Sequence, residues 1–337
     1  MDAGGNMMHH FCTYFDRHYL PRALALYDSL TARCPDFHLW ALCFDDESHR
    51  ALAGRPNVTP ISLTEFEDAE LLQAKATRTL QEYYFTCTPS LPLYLFRTSP
   101  EIDRITYIDS DLFFFDDPQL VFDEIGDSSI AIIPHRFARQ VRDKERSGKY
   151  NVGWLTFRRD ENAMSCLSWW RERCLEWCYA RHEDGKYADQ KYLDDWPQRF
   201  DGVLEIKNPG ANLGPWNLAN YRVEYHDGHV SVDGRPLVFY HFSSFIQIRS
   251  WLFHTNFRNW RVRPNRIVRR HIIEPYLKAL APYSGSRAAT TAAPPEPTTN
   301  RPISTMQRLA VKAAFIARVA GGIMTGNHVL VVCRRVL

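Results

Sequence analysis

The residues best placed to do chemistry in this 337-residue chain are two carboxylates two positions apart, Asp109 and Asp111, in DRITYIDSDLFFFDDP. Ile105, Tyr107 and Ile108 before them, and Phe113 to Phe115 after them, read as buried strand, so the acids sit near the middle of a domain. Two unpaired anions in such a place cost several kcal/mol each and need a counter-charge. A divalent cation supplies one, because carboxylates at i and i+2 on extended backbone point to one side and can share a metal. The plainer reading, a solvated Asp-rich turn, fits poorly with such apolar flanks.

The elements that must hold these residues are legible in outline. MHHFCTYF is a short apolar strand, LPRALALYDSLTAR carries Leu20, Leu24, Tyr27 and Leu30 at helical spacing, and FHLWALCFDD is a second apolar strand. Strand, helix, strand with short connections predicts an α/β domain with a parallel sheet, which places ligands at the carboxyl ends of the strands. Residues 64–98 read as helical, 128–134 and 151–160 as strands, and 161–180 as an amphipathic helix. Asp-Gly turns punctuate a hairpin-like stretch, RVEYHDGHVSVDGRPLVFYHFS.

Y-I-D-S-D-L-F-F-F-D-D-P resembles the D-x-D region of nucleotide-sugar-dependent glycosyltransferases of the GT-A fold, most of all glycosyltransferase family 8 and its bacterial relatives. Further matches follow in family order over roughly residues 8–255. F-C-T-Y-F-D-R-H-Y-L resembles the first strand and nucleotide loop, which implies nucleotide contacts from Thr13, Tyr14, Asp16 and Tyr19; His18 stands where Asn or Glu is commoner. Y-N-V-G-W-L resembles the element whose Asn faces the donor sugar, implying that role for Asn151. Y-A-D-Q-K-Y-L-D resembles the element that sets an acid and an amide against the sugar, implying Asp189 and Gln190. V-F-Y-H-F-S-S-F resembles the late His motif, implying His241 as a third metal ligand beside Asp109 and Asp111, with Ser110 among the donor contacts. The family then runs through Gly to a Lys-Pro-Trp on the diphosphate. This chain has Ser243-Ser244 and Arg249-Ser250-Trp251 instead, and Arg249 is a competent phosphate partner for the Lys place.

The resemblance implies an α/β GT-A domain that moves a hexose from a nucleoside diphosphate sugar, UDP first, to a glycan or lipid-linked acceptor with retention of configuration. Two carboxylates and an imidazole suit Mn²⁺, then Mg²⁺. Two other classes stay open: a sugar nucleotidyltransferase, which should carry a Gly-rich basic loop where CTYFDRHY has none, and a non-catalytic carbohydrate-binding protein of transferase fold.

Composition narrows the rest. Lys+Arg 41 against Asp+Glu 39 leaves a charge of +2 and no field to hold nucleic acid. The 13% aromatic share can fill a core or line a sugar pocket, and Trp154, Trp216 and Trp251 are read first as core. Eight scattered cysteines complete no zinc set and read as reduced core thiols of a cytoplasmic protein. Neither a secretory leader nor a spanning helix is expected. The transferase domain is expected over 1–283, a Pro/Thr/Ala-rich linker over 284–302, and a basic, partly amphipathic tail over 303–337. That tail suits peripheral attachment to the inner face of an anionic membrane, or packing on its own domain or a partner.

Overall fold

A computed structural model describes residues 8–249, 251–283, 322, 328–332 and 335–336. The expected linker 284–302 and most of the expected tail 303–337 lie outside the described residues. The chain divides into two compact units, Met1–His241 and Phe242–Leu337.

The first unit is an α/β domain. Its seven-stranded sheet is built from β1 (His9–Phe15), β2 (Phe37–Cys43), β3 (Val58–Ser62), β4 (Arg104–Ile108), β6 (Ile130–Pro134), β7 (Tyr150–Arg158) and β8 (Val203–Glu205), in the order β3-β2-β1-β4-β7-β6-β8. The strands β3, β2, β1 and β4 pair in parallel and β7 runs against β4 and β6, so the sheet is mixed and mostly parallel. The strand–helix–strand opening is present as β1, a helix over Leu20–Arg33 and β2.

Alternation along each strand feeds two cores, one on each face. Phe11, Ala131, Ile133 and Trp154 pack with Leu26 and Leu30 of the first helix and with Val121 and Phe122 of the helix Gln119–Ile125. Cys12, Ile105, Tyr107, Ile130 and Ile132 pack on the other side with Leu91, Leu95, Leu167 and Trp170. The stretch read as helical over 64–98 is four short helices, Leu63–Phe66, Ala69–Lys75, Leu80–Cys87 and Ser90–Thr98. Capping explains the breaks. Ser62 with Glu65 and Thr79 with Glu82 form capping boxes, and Asp68 accepts from Leu71 N–H, so the chain restarts at each. The Asp227-Gly228 and Asp233-Gly234 turns of the hairpin each place both residues at positive φ, as tight hairpin turns require.

Two short strands outside the main sheet decide the site. β5 (Leu112–Phe114) follows the paired aspartates and pairs antiparallel with β12 (Phe239–His241). Between them in the chain lie β9 (Val223–His226), β10 (His229–Val232) and β11 (Arg235–Pro236), which form a separate three-stranded sheet.

In the second unit β13 (Ile246–Arg249), β14 (Leu252–His254), β15 (His328–Val332) and β16 (Arg335–Val336) form an antiparallel sheet in that order. Part of the expected tail is thus strand, with Leu330 opposite Leu252. Phe242 stacks on Tyr276 at 3.7 Å. No helix among the described residues is long and apolar enough to cross a membrane. The seven described cysteines are all buried and none is in a disulfide.

Candidate metal and sugar-nucleotide site

Asp109 and Asp111 do not lie on extended backbone as the i, i+2 argument supposes. The chain turns between β4 and β5, with Leu112 N–H donating to the Asp109 carbonyl at 3.2 Å. The turn, not strand alternation, brings both carboxylates to one side. It is no solvated turn either, since Ser110 and Asp111 are 7% and 8% exposed; only Asp109 keeps about a third of its side chain, 31%, open to solvent.

His241 arrives by register. The β5–β12 ladder sets it opposite Leu112, the residue after Asp111. Phe239, two residues earlier on the same strand, anchors that ladder by stacking on the buried indole of Trp154 at 5.1 Å. The His241 Nε2 then lies 3.0 Å from Asp111 Oδ1 and 3.4 Å from Asp109 Oδ2. One ligand atom from each of the three residues falls within 4.8 Å of the others.

The electrostatics follow from that geometry. Burial pushes the Asp111 carboxyl up, but the charge and hydrogen bond of His241 outweigh it and hold it below the usual range. Burial lowers His241, and the two carboxylates reverse this and leave it raised. For Asp109 burial wins: its carboxyl is pushed up to about 6, against the pull of His241 and a hydrogen bond from Tyr107 Oη–H at 3.0 Å. Two acidic oxygens and an imidazole nitrogen facing one another, partly compensated by a proton alone, fit a hard or borderline divalent cation with O/N ligands.

Beside this triad sits a third acid. Asp189 is 4% exposed, just before a 3₁₀ turn over Gln190–Asp195, and burial pushes its carboxyl up to about 7. Thr88 and the backbone N–H groups of residues 189 and 190 hydrogen-bond it and act the other way, while the charge of Asp109 raises it further. The Thr88 hydroxyl also meets Tyr14 Oη at 3.1 Å, and the Tyr14 ring lies 5.6 Å from Tyr107. Tyr14, Thr88, Asp189, Tyr107 and Asp109 thus form one buried polar chain.

Asn151 is pinned at both ends. Its Nδ2 donates to His135 Nε2 at 3.0 Å and its Oδ1 accepts from Gly153 N–H at 2.9 Å. Burial pushes His135 down to about 3, so it is neutral, with Nδ1–H donating to the Lys149 carbonyl at 3.3 Å. The β6–β7 ladder breaks its register here: Ile132 pairs with Leu155 but Ile133 pairs with Asn151. That bulge moves Gly153 against His241, where a Cβ would come within 2.7 Å of Cε1 and 2.8 Å of Nδ1.

The remaining sequence-based candidates scatter more. Asp16 caps its own turn, accepting from His18 and Tyr19 N–H at 2.9 and 3.2 Å, and its other oxygen accepts from Tyr84 Oη–H at 2.9 Å. Tyr19 keeps 39% of its surface exposed, under the Arg22 guanidinium at 4.2 Å, and partial desolvation of its hydroxyl, then the charge of Asp111, raises its pKa. Thr13 is fully buried, on the opposite face of β1 from Tyr14. Gln190 Nε2 donates to the Ser147 carbonyl at 3.0 Å. Arg249 belongs to the second unit, exposed at the end of β13. Trp154 and Trp216 are core, as read, while Trp251 is 44% exposed. Sequence reasoning passed over Thr88, Tyr107, His135, Gly153, Asn212 and Asn217. Gly153, inside Y-N-V-G-W-L, carried a usable signal, a glycine interrupting a buried strand.

No protein-family model matches the chain. The uncharacterized protein YfnD of Bacillus subtilis (strain 168) is 36% identical over 241 residues, 70% of this chain and 78% of YfnD. YfnF of the same organism is 37% identical over 247 residues, 70% of this chain and 81% of YfnF. Among solved structures, the galactosyltransferase LgtC in complex with donor and acceptor sugar analogs superposes with a TM-score of 0.51 at 17% identity, over 81% of this chain and 95% of that one. An active-site mutant of LgtC gives 0.50 at 17% identity, over 80% and 94%. The chain belongs to the same family as YfnD and YfnF, and it has the GT-A fold of family 8-like glycosyltransferases.

Proposed function

We propose that this protein is a metal-dependent glycosyltransferase that moves a hexose from a nucleoside diphosphate sugar, UDP first, to a glycan or lipid-linked acceptor with retention of configuration. The observation that carries the reading is the meeting of Asp109, Asp111 and His241 at the carboxyl end of β4, within a fold shared with a galactosyltransferase. A fold alone does not specify activity; a buried acid–acid–imidazole cluster at the sheet's ligand-binding end is what supports this one.

Asp109, Asp111 and His241 Nε2 would hold Mn²⁺, with Mg²⁺ second. The chemistry supplied there is neutralisation of the charge that grows on the departing nucleoside diphosphate. Asp16 and Tyr19 shape the nucleotide turn; Thr13 and Tyr14 come from the end of β1 that leads into it, and Ser110 from the turn between β4 and β5. Asp189, with Gln190, faces the positive charge that develops at the anomeric carbon. Its raised pKa means that the approach of that charge is what favours its ionised form. Asn151, its amide fixed by His135 and Gly153, donates its remaining N–H to a sugar hydroxyl. Arg249 is proposed as a diphosphate partner in place of the family's Lys. A cytoplasmic location, with the basic tail 303–337 on an anionic membrane face, completes the proposal.

The test is a thermal-shift panel of nucleoside diphosphate sugars with and without Mn²⁺, followed by donor hydrolysis. A ligand at a hundred times its Kd adds about 2.7 kcal/mol to the native state, a rise of several degrees at this size. One donor should give that rise only with metal, and should be turned over. A folded protein that neither binds nor hydrolyses any member of the panel overturns the reading.

A further inference from the structure

The residues that hold His241 in place are as particular as those it faces. Asn212 is fully buried, and its Oδ1 lies 3.3 Å from His241 Nδ1. An amide oxygen can only accept, so Nδ1 carries a proton, and the proton that Nε2 shares with Asp111 on the side of the two acids is the one a metal would displace. Two features of Asn212 work against stability. It sits at φ +62°, in the left-handed region that costs a non-glycine residue, and among the described residues its Nδ2 has no hydrogen-bond partner. A residue kept only to fill space would carry neither.

The backbone under Asn212 is fastened by a second asparagine. Asn217, also fully buried, donates from Nδ2 to the carbonyls of Asn212 and His135, each at 3.0 Å, and accepts from Gly214 N–H at 2.9 Å. Trp216 stands edge-on to the imidazole at 5.1 Å. On the other flank the bare Cα of Gly153 leaves room for the ring, which a Cβ there would meet at 2.7 and 2.8 Å. The ring therefore has one orientation.

We infer that Asn212 is a positioning residue for His241, fixing its imidazole with the proton on Nδ1 and Nε2 turned to the two aspartates. Gly153 supplies the clearance that lets the ring sit there. The inference rests on the metal-site reading above, and partners of this kind on a ligating His typically alter metal affinity about 10- to 100-fold.

Mn²⁺ affinity of the full chain, measured without any sugar nucleotide by the electron paramagnetic resonance of unbound Mn²⁺, tests it. Asn212→Leu removes the acceptor at similar volume and should bind Mn²⁺ at least about tenfold more weakly. Asn212→Asp keeps an accepting oxygen and should bind within about threefold of the parent or more tightly. Parent-like affinity in Asn212→Leu overturns the inference, and so does an equal loss in both variants, which would mean packing alone. Should Asn212→Leu not fold, Gly153→Ala decides: a Cβ there meets Asn151 Oδ1 at 2.5 Å and the His241 ring at 2.7 and 2.8 Å, so undiminished affinity overturns the inference. A parent chain that binds no Mn²⁺, or binds it as well after Asp111→Asn, fails in a different way and sinks the metal site itself.

Discussion

Asp111 and Asp189 are buried to nearly the same degree, 8% and 4% exposed, yet their carboxyls are driven in opposite directions. Asp111 has the His241 imidazole at 3.0 Å, and its pKa falls below the ordinary carboxylate value despite burial. Asp189 has a hydroxyl and two backbone N–H groups for partners and the charge of Asp109 against it, and its carboxyl rises to about 7. Burial is thus common to both; it prevails at Asp189 and is overcome at Asp111. The difference lies in whether the fold delivers a cationic partner. The β5–β12 ladder does so for one acid, and the 3₁₀ turn at Gln190–Asp195 brings none to the other. Asp111 is held ionised by its imidazole partner; Asp189, without one, keeps its proton up to about pH 7.

Removing the charged member should have the largest effect. Asp111→Asn is expected to abolish metal-dependent donor hydrolysis, a loss of about 10³-fold or more in kcat/KM, because it takes away both a ligand and the partner that orients His241. Asp189→Asn should lower kcat by about 10²–10³-fold while leaving Mn²⁺ affinity within a few-fold of the parent. Steady-state hydrolysis and a metal titration on the same two variants check this. If both lose metal, or if both keep it, the division between a binding acid and a poised acid collapses.

That division was half legible in the sequence. Two acids between apolar runs at Asp109 and Asp111 demand a counter-charge whatever the fold, so local composition suffices to find them. His241 and Asp189 came only through the order of motifs, since an imidazole in VFYHF or an acid in YADQ reads as core or solvated surface. The β5–β12 pairing joins residues more than a hundred positions apart, and no local periodicity reports it. Asn212 and Asn217 look like turn formers, Thr88 like a helix end, and Gly153 like an incidental break in a strand. Their roles exist only after the loop over 210–217, the bulge in β7 and β12 have met. The helical reading of 64–98 held in type but not in continuity: the apolar spacing was right, but the caps Asp68 and Thr79 inside it each start a new helix.

A middle-sized effect separates the two acids by pH rather than by activity. The Asp189 carboxyl of the unfolded chain loses its proton near the ordinary carboxylate value, whereas the folded one keeps it until about pH 7. Between those values the unfolded state gains from deprotonation and the folded state does not, so stability falls as pH rises through this window and levels off above it. Urea unfolding of the metal-free chain at pH 5, 6, 7 and 8 should therefore show Asp189→Asn gaining on the parent up to about pH 7. For Asp111, whose folded pKa is depressed, the sign reverses: its contribution is present above the unfolded value and is lost as pH drops through the folded one. A gap between Asp189→Asn and the parent that does not change with pH would mean that Asp189 is charged throughout.

The smallest effect tests what holds Asp189 poised. The Thr88 hydroxyl is the side-chain group that lowers the Asp189 pKa, and it also meets Tyr14 Oη at 3.1 Å. Thr88→Val keeps the shape and removes that hydroxyl, leaving the carboxylate one hydrogen bond short and Tyr14 with Tyr107 as its remaining side-chain partner. The stability cost at neutral pH should be about 1–3 kcal/mol, the penalty of an unmade buried hydrogen bond. It should shrink toward pH 5, where the carboxyl is protonated and can donate to Tyr14 Oη or to a water. Asp111 makes no contact with Thr88 that would change its charge, so Mn²⁺ affinity should stay at the parent value. A Thr88→Val chain that loses metal as well would show the two acids to be one coupled site, and the contrast between them would then lie in degree alone.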